Sequence, residues 1–177
     1  WIRLFGVLFN QEQQANKFFR EQAERVQPIL EKENTGLSVA FFAVSSDGTI
    51  TVRKPNDYVS SMIELAGGNY SLNGYLPEED SALSTMKMQM EDFYVAEKDA
   101  DILIYNGTIE GELTSVDELI AKNSLFADFK AVKSGQVYTT GSNFYQQTSM
   151  TCDFIEDLNK VLIGSDDTDY HFLKHIQ

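Results

Sequence analysis

Two histidines, one cysteine and three prolines are all that this 177-residue chain holds of those residue types, and each scarcity excludes something. A single cysteine cannot close an internal disulfide, and Cys152, lying beside Phe154 and Ile155, reads as a buried helical thiol rather than a nucleophile. One thiol is compatible with an oxidising compartment without establishing it. His171 and His175 both fall in the terminal tail, and no serine or cysteine has a histidine near it in sequence, which argues against a nucleophile and base pair. Their i, i+4 spacing would suit a metal on one helical face, but a frayed or surface-docked tail is the better reading. Basic residues are scarce too: 14 Lys and Arg stand against 27 Asp and Glu, a net charge of -13, the wrong sign for sequence-independent nucleic-acid binding. There is no Gly-x-Gly-x-x-Gly, no P-loop, no internal repeat and no low-complexity linker. The greasiest stretch, Trp1 to Phe9, has seven apolar residues in nine, too few to span a bilayer and without a following cleavage site.

What the chain does carry is helical and strand patterning in alternation. Residues 10–33 form its clearest helix, with Asn10 as N-cap and Phe18, Phe19, Ala23, Val26, Ile29 and Leu30 at helical spacing. Pro28 removes a backbone donor near its end and is expected to kink or weaken it. Leu37 to Val44 is an apolar β-rich run, Asp47-Gly48 a turn signal and Thr49 to Val52 an alternating strand, together a hairpin. A helix capped by Asn56 then runs to Ala66 and ends at Gly67-Gly68. Residues 69–84 are loop-like, with a short strand at Tyr70 to Leu72; Glu78, Glu79 and Asp80 read as a solvated loop, not a general acid.

The most informative stretch is Ala100 to Gly107. Ile102 to Tyr105 is an apolar strand ending in the polar pair Asn106-Gly107, as a parallel strand does at its carboxyl edge. Ser115 and Glu118 then have capping-box spacing and start a helix, and Lys133 to Gln136 supplies a turn before the strand Val137 to Thr140. The unit is strand, helix, strand.

In this order the segments resemble the C-terminal lobe of a periplasmic-type substrate-binding protein of an ABC importer, in the group that handles iron-siderophore complexes, haem and cobalamin. Ile63-Glu64-Leu65-Ala66-Gly67-Gly68-Asn69 resembles the family's helix-ending Leu-Ala-Gly-Gly signature and Ser45-Ser46-Asp47-Gly48 its hairpin. Asp99-Ala100-Asp101 stands where the family has a Pro-Asp pair, and Thr148 to Ile163 resembles its closing helix. The collinear order carries the resemblance, over roughly residues 1–163. It implies a three-layer αβα lobe with a mainly parallel central sheet, preceded by a long interlobe helix. Residues 1–9 are then expected to be the end of a helix belonging to a missing N-terminal lobe on which they pack, 10–33 the interlobe helix, 34–163 the α/β ligand-binding lobe and 164–177 a tail. The implied function is that of a receptor, not an enzyme, without a cofactor or metal of its own. It would bind a metal chelate of the siderophore, haem or cobalamin class between two lobes and deliver it to a membrane permease. The implied location is extracytoplasmic, in the periplasm or as a cell-surface lipoprotein.

Where a ligand would sit follows from architecture, since open α/β sheets bind beyond the carboxyl ends of their strands. Arg53 to Tyr58, Tyr105-Asn106-Gly107 and Gly141 to Gln146 are the three segments that qualify. Arg53 and Lys54 suit carboxylate or hydroxamate oxygens, the arginine with a forked pair of donors. Tyr58 and Tyr145 suit stacking on a flat ligand or a phenolate to haem iron, and Asn106 stands at the strand end. A snorkelling cation or a core-edge tyrosine is the alternative at each position. The resemblance also implies an acid near the start of an outer helix that meets permease arginines; Glu91 matches best and Asp92 nearly as well. Two further readings stay open. One is a flavodoxin-like enzyme or sensor with Ser45 to Gly48 as a phosphate loop; the other is a copper-handling module through Met86, Met88 and Met90, whose alternation equally suits packing in a half-buried strand.

Overall fold

The computed structural model describes residues 1–75 and 82–177, so the acidic run Glu78 to Asp80 lies outside it. At its centre is β1 (Ser38–Val44), a run of β-branched and aromatic residues buried on both faces. The parallel strand β5 (Ile102–Asn106) flanks it on one side and the antiparallel β2 (Ile50–Arg53) on the other. β6 (Val137–Thr140) continues the parallel run, and β7 (Leu173–His175) closes that edge antiparallel to it. On the opposite side β4 (Thr85–Met88) pairs antiparallel with β2, while β3 (Asn69–Tyr70) lies beside the start of β1. Five strands, β1, β3, β4, β5 and β6, therefore point one way and two, β2 and β7, the other.

Alternation along β1 sends Phe41 and Phe42 to opposite faces and seeds two aromatic cores. Phe41 meets Phe144 at 5.8 Å between ring centroids, and Phe144 meets Phe154 of α7 (Thr151–Leu162) at 4.9 Å. Phe42 meets Phe93 of α4 (Met90–Glu97) at 4.9 Å and Phe126 at 5.4 Å. Helices α2 (Glu12–Leu30) and α3 (Tyr58–Leu65) pack on α7 over the first face. Phe129, which leads into α6 (Lys130–Ser134), joins the second cluster on Phe93 and Phe126. The result is the expected mixed α/β arrangement, with helices on both sides of a mostly parallel sheet.

Several local signals are used differently from the expectation. The helix expected over 10–33 is preceded by a separate α1 (Ile2–Leu8), and Asn10 turns the corner between them at φ 54°, leaving Gln11 in the cap position. Gly6 permits that corner, because a Cβ there would sit 2.5 Å from the Cβ of Ala15. α2 continues two residues past Pro28, whose missing donor falls near a terminus. Asp57, not Asn56, caps α3: its Oδ1 accepts the Val59 N–H at 3.0 Å, and Asn56 supplies the turn at φ 64°. The capping box of α5 (Val116–Lys122) is present one residue offset, with Ser115 Oγ accepting from the Glu118 N–H and Glu118 Oε2 from the Thr114 N–H. Ser45 to Gly48 is the tip of an antiparallel hairpin, Gly48 at φ 81°, and no helix N-terminus follows it. A phosphate loop needs such a terminus, so the flavodoxin-like reading loses its motif. No described helix is long and apolar enough to cross a membrane.

Candidate functional site

Arg53 ends β2 on the face of the sheet that carries Phe41, and the strands bring three separate loops to it. Its guanidinium carbon lies 4.8 Å from the ring centroid of Tyr145 and 5.4 Å from that of Tyr58. Nη1 donates to Ser84 Oγ at 3.1 Å, and Nε lies 3.7 Å from Asp57 Oδ1. The side chain is deeply buried, 7% exposed as a residue. A guanidinium removed from water needs such compensation, and two aromatic faces plus a carboxylate supply it. The Tyr145 hydroxyl in turn accepts a hydrogen bond from Asn106 Nδ2 at 2.8 Å. Asn106 Oδ1 accepts from the N–H and the hydroxyl of Thr108, at 3.2 and 2.6 Å, so the end of β5 is fixed in orientation. Directly after it, Gly107 passes so close to β6 that a Cβ would come within 2.3 Å of the Thr140 carbonyl oxygen.

Four of the five residues expected to bind ligand, Arg53, Tyr58, Asn106 and Tyr145, are thus in one cluster. Lys54 is partly buried beside it and fixed through its backbone, its N–H donating to the Ser84 carbonyl at 3.0 Å. Burial pushes the Tyr58 phenol up to about 12 and raises that of Tyr145 as well, although the Arg53 charge pulls both down. Both are neutral at physiological pH, and the site offers ring faces and hydroxyl groups rather than ready phenolates. Sequence reasoning missed Asp57, Ser84 and Thr108. Asp57 had a signal in its i, i+4 spacing from Arg53; Ser84 arrives from a distant loop and had none.

Glu91 and Asp92 are exposed in the first turn of α4. Met88, at the end of β4, lies opposite Ile50 and Ile50 opposite Val44, so this helix begins at the carboxyl edge of β1, the same edge at which β5 and β6 end. The methionines are committed to packing: Met88 and Met90 are core residues and Met86 packs against the core from β4. Cys152 is half-buried with Sγ 3.4 Å from the Gln22 carbonyl oxygen, and burial raises its thiol pKa. The two histidines lie in an extended segment rather than on a helix; His171 Nε2 is 3.0 Å from Gln147 Oε1 and His175 Nε2 is 2.7 Å from the Gly135 carbonyl oxygen. Among the described residues no three His, Cys, Asp or Glu side chains gather as metal ligands do.

The family model for periplasmic binding proteins matches residues 1–144. An uncharacterized lipoprotein of Methanocaldococcus jannaschii is 23% identical over 164 residues, which cover 92% of this chain and 38% of that protein. Among solved structures, an ABC-type Fe3+-hydroxamate transport system of Saccharomonospora viridis has a TM-score of 0.73 at 15% identity, covering 90% of this chain and 53% of that one. A periplasmic haem binding protein of Vibrio cholerae has a TM-score of 0.68 at 12% identity, covering 89% and 58%. The chain therefore spans less than two thirds of each of these proteins, and the structural likeness is one of fold. With that family model matched over residues 1–144, well over half of its length, the chain belongs to the periplasmic binding protein family.

Proposed function

We propose that this chain is the C-terminal ligand-binding lobe of an ABC-importer solute receptor, which takes an iron-siderophore or a related metal chelate or tetrapyrrole between two lobes and delivers it to a membrane permease. The observation that carries the reading is the cluster in which Arg53 and Tyr58, after β2, meet Tyr145 and Asn106 at the carboxyl ends of β6 and β5. In it the tyrosine rings stack on the flat part of the chelate, the Asn106 and Tyr145 polar groups meet its oxygens, and Arg53 lends positive field from behind the rings. The proteins of Saccharomonospora viridis and Vibrio cholerae, named for Fe3+-hydroxamate and haem, support the chelate class.

Under this reading residues 34–163 are the lobe proper, 10–33 the interlobe helix and 164–177 a tail, while residues 1–9 lie against the other lobe. Trp1 is 91% exposed and Val7, Leu8 and Phe9 are 62–71% exposed, an apolar face of the kind that a second body covers. Glu91 and Asp92, at the edge where the ligand would enter, meet cationic residues of the permease and set association rate and register. The setting is extracytoplasmic, in the periplasm or on a lipid anchor, in keeping with the lipoprotein of Methanocaldococcus jannaschii. Isothermal titration of the whole receptor with a ferric hydroxamate, haemin and cobalamin tests the proposal. Saturable binding of one of them, weakened by Tyr145→Ala, is expected; no heat from any of the three overturns it.

A further inference from the structure

Asp157 and the C-terminal strand lie beyond the stretch that matches the family, and nothing in the ligand cluster as described uses them. Asp157 belongs to α7 and is 3% exposed. Its two oxygens accept three successive backbone N–H groups: His171 to Oδ1 at 3.0 Å, Phe172 to Oδ2 at 2.7 Å and Leu173 to Oδ2 at 3.2 Å. Burying a carboxylate is costly unless charge-assisted bonds compensate, and here all of these bonds go to one point, the place where the tail enters the sheet. β7 has three residues, too few to hold that place by pairing alone.

The anchored segment touches the loop of residues 141–147 at its start, middle and end. Leu173 pairs with Thr140, the residue before the loop. The Phe172 ring stands edge-on to Phe144 at 5.5 Å. His171 Nε2 meets Gln147 Oε1 at 3.0 Å. The loop's own regular structure in this stretch is a 3-10 turn, Phe144–Gln146, which has little stability of its own. Tyr145 lies in that turn, its ring 5.2 Å from Phe144, and reaches Arg53 and Asn106.

We infer that Asp157 is a positioning residue for the ligand site: by fixing His171 to Leu173 it holds the 141–147 loop and, with it, Tyr145. The inference rests on the proposed role of Tyr145 in ligand binding, but its structural half is separable. The test incorporates 3-fluorotyrosine and follows the 19F resonance of Tyr145, assigned by Tyr145→Phe, in the full chain carrying Asp157→Asn or Gln147→Ala. Gln147→Ala cuts the link at the loop's end without entering the core, and it decides the matter if Asp157→Asn does not fold. Arg25→Met is the control, because it unhooks α7 from α2 at Asp153 and Glu156 without reaching the loop. The expected result is a shifted or broadened Tyr145 resonance in the first two variants. The resonance of Tyr94, packed on Phe129 on the opposite face, should not move in either. Affinity of the whole receptor for a ferric hydroxamate or haemin should fall about tenfold with them. A Tyr145 resonance unmoved by both variants, or moved equally by Arg25→Met, overturns the inference. If the resonance moves while neither probe binds the unsubstituted whole receptor, the positioning stands and the proposed function fails; if a probe binds the receptor and the resonance stays, the positioning fails alone.

Discussion

Replacing Glu97 by glutamine should stabilise the protein above neutral pH and do almost nothing below pH 4.5. Glu97 is the last residue of α4, 1% exposed, and neither carboxyl oxygen has a hydrogen-bond partner among the described residues. The neighbouring Ser71 would help a carboxylate, but its hydroxyl hydrogen goes to the Val39 carbonyl oxygen at 2.9 Å. Burial therefore dominates and pushes the carboxyl from its ordinary 4.5 up to about 7. The sign follows from linkage. Below pH 4.5 both native and unfolded chains hold this proton, and the neutral acid's advantage is fully present. As pH rises the unfolded chain releases the proton first, and stability is lost until the native group ionises near 7. At roughly 1.4 kcal/mol per pH unit the loss reaches about 3 kcal/mol. For a chain of this size that is about 6–12 °C in Tm. Urea unfolding of the two proteins from pH 4 to 9, followed by far-ultraviolet circular dichroism, gives the difference directly and cancels the titration of every other group. The gap should open between pH 4.5 and 7 in favour of Glu97→Gln and stay constant beyond. Two parallel pH profiles would refute the reasoning.

Gly107→Ala should cost at least about 1–3 kcal/mol in chemical denaturation, because the added methyl meets the backbone of Thr140 and Glu112 rather than a side chain that can rotate away. Tyr145→Phe should cost about 1–2 kcal/mol by the same measurement, since it leaves the Asn106 amide of a part-buried bond without its acceptor. Phe42→Ala should cost about 3–5 kcal/mol, as the ring sits against Phe93, Tyr105 and Phe126, and a compensating loss below 1 kcal/mol would mean that this core is loosely packed. Arg25→Met should matter less than its two carboxylate partners suggest: the side chain is 36% exposed, so about 1 kcal/mol or less is expected, and the difference should shrink as salt is raised.

The elements whose patterning is strictly local were legible in the chain. β1, β2, β5 and β6 declare themselves by apolar runs between turn signals, and their residues do form the centre of the sheet. Ser115 caps α5 where expected, the cap of α3 is off by one residue, and α2 starts at Gln11 without a side-chain cap. Asn56 and Asp57 both suit a helix start, and the choice went to Asp57 because Asn56 tolerates the left-handed turn that Asp57 leaves to it. The break between α1 and α2 falls close to where the separate segments 1–9 and 10–33 were expected to meet, but their close packing had no signal: Gly6 looks like a weak point inside a helix, and its purpose, close approach to Ala15, exists only once the second helix is in place. The tail was expected to fray or to dock on the surface; Phe172 and Leu173 do dock, but at the start of an added strand that went unread for a similar reason. Its strand is three residues long and is held by Asp157, a carboxylate that looks in sequence like any acid on a helix.

Of the site, the loops were legible and the partnerships were not. Parallel strands that end at one edge of a sheet deliver their following residues to that edge, so Asn106 and Tyr145 could be picked from topology; Arg53 ends the antiparallel β2, which runs back from that edge, and joins them through the reach of its side chain. Their roles relative to one another could not, because a sequence gives no distances between β2, β5 and the segment after β6. An arginine expected to reach out to chelate oxygens is instead enclosed by Tyr58, Tyr145, Asp57 and Ser84. Under the proposed function this reverses which group would meet a ligand first. Tyr58 is 49% exposed while Arg53 is 7% exposed, so under that reading an incoming molecule would touch aromatic carbon and a neutral hydroxyl before it could touch the guanidinium. Arg53→Lys and Tyr58→Ala separate the two roles. A compact ammonium keeps the charge and loses the planar stacking, so it should loosen Tyr145 and the site together. Loss of the Tyr58 ring should spare the Tyr145 and Asn106 pair and remove contact area only.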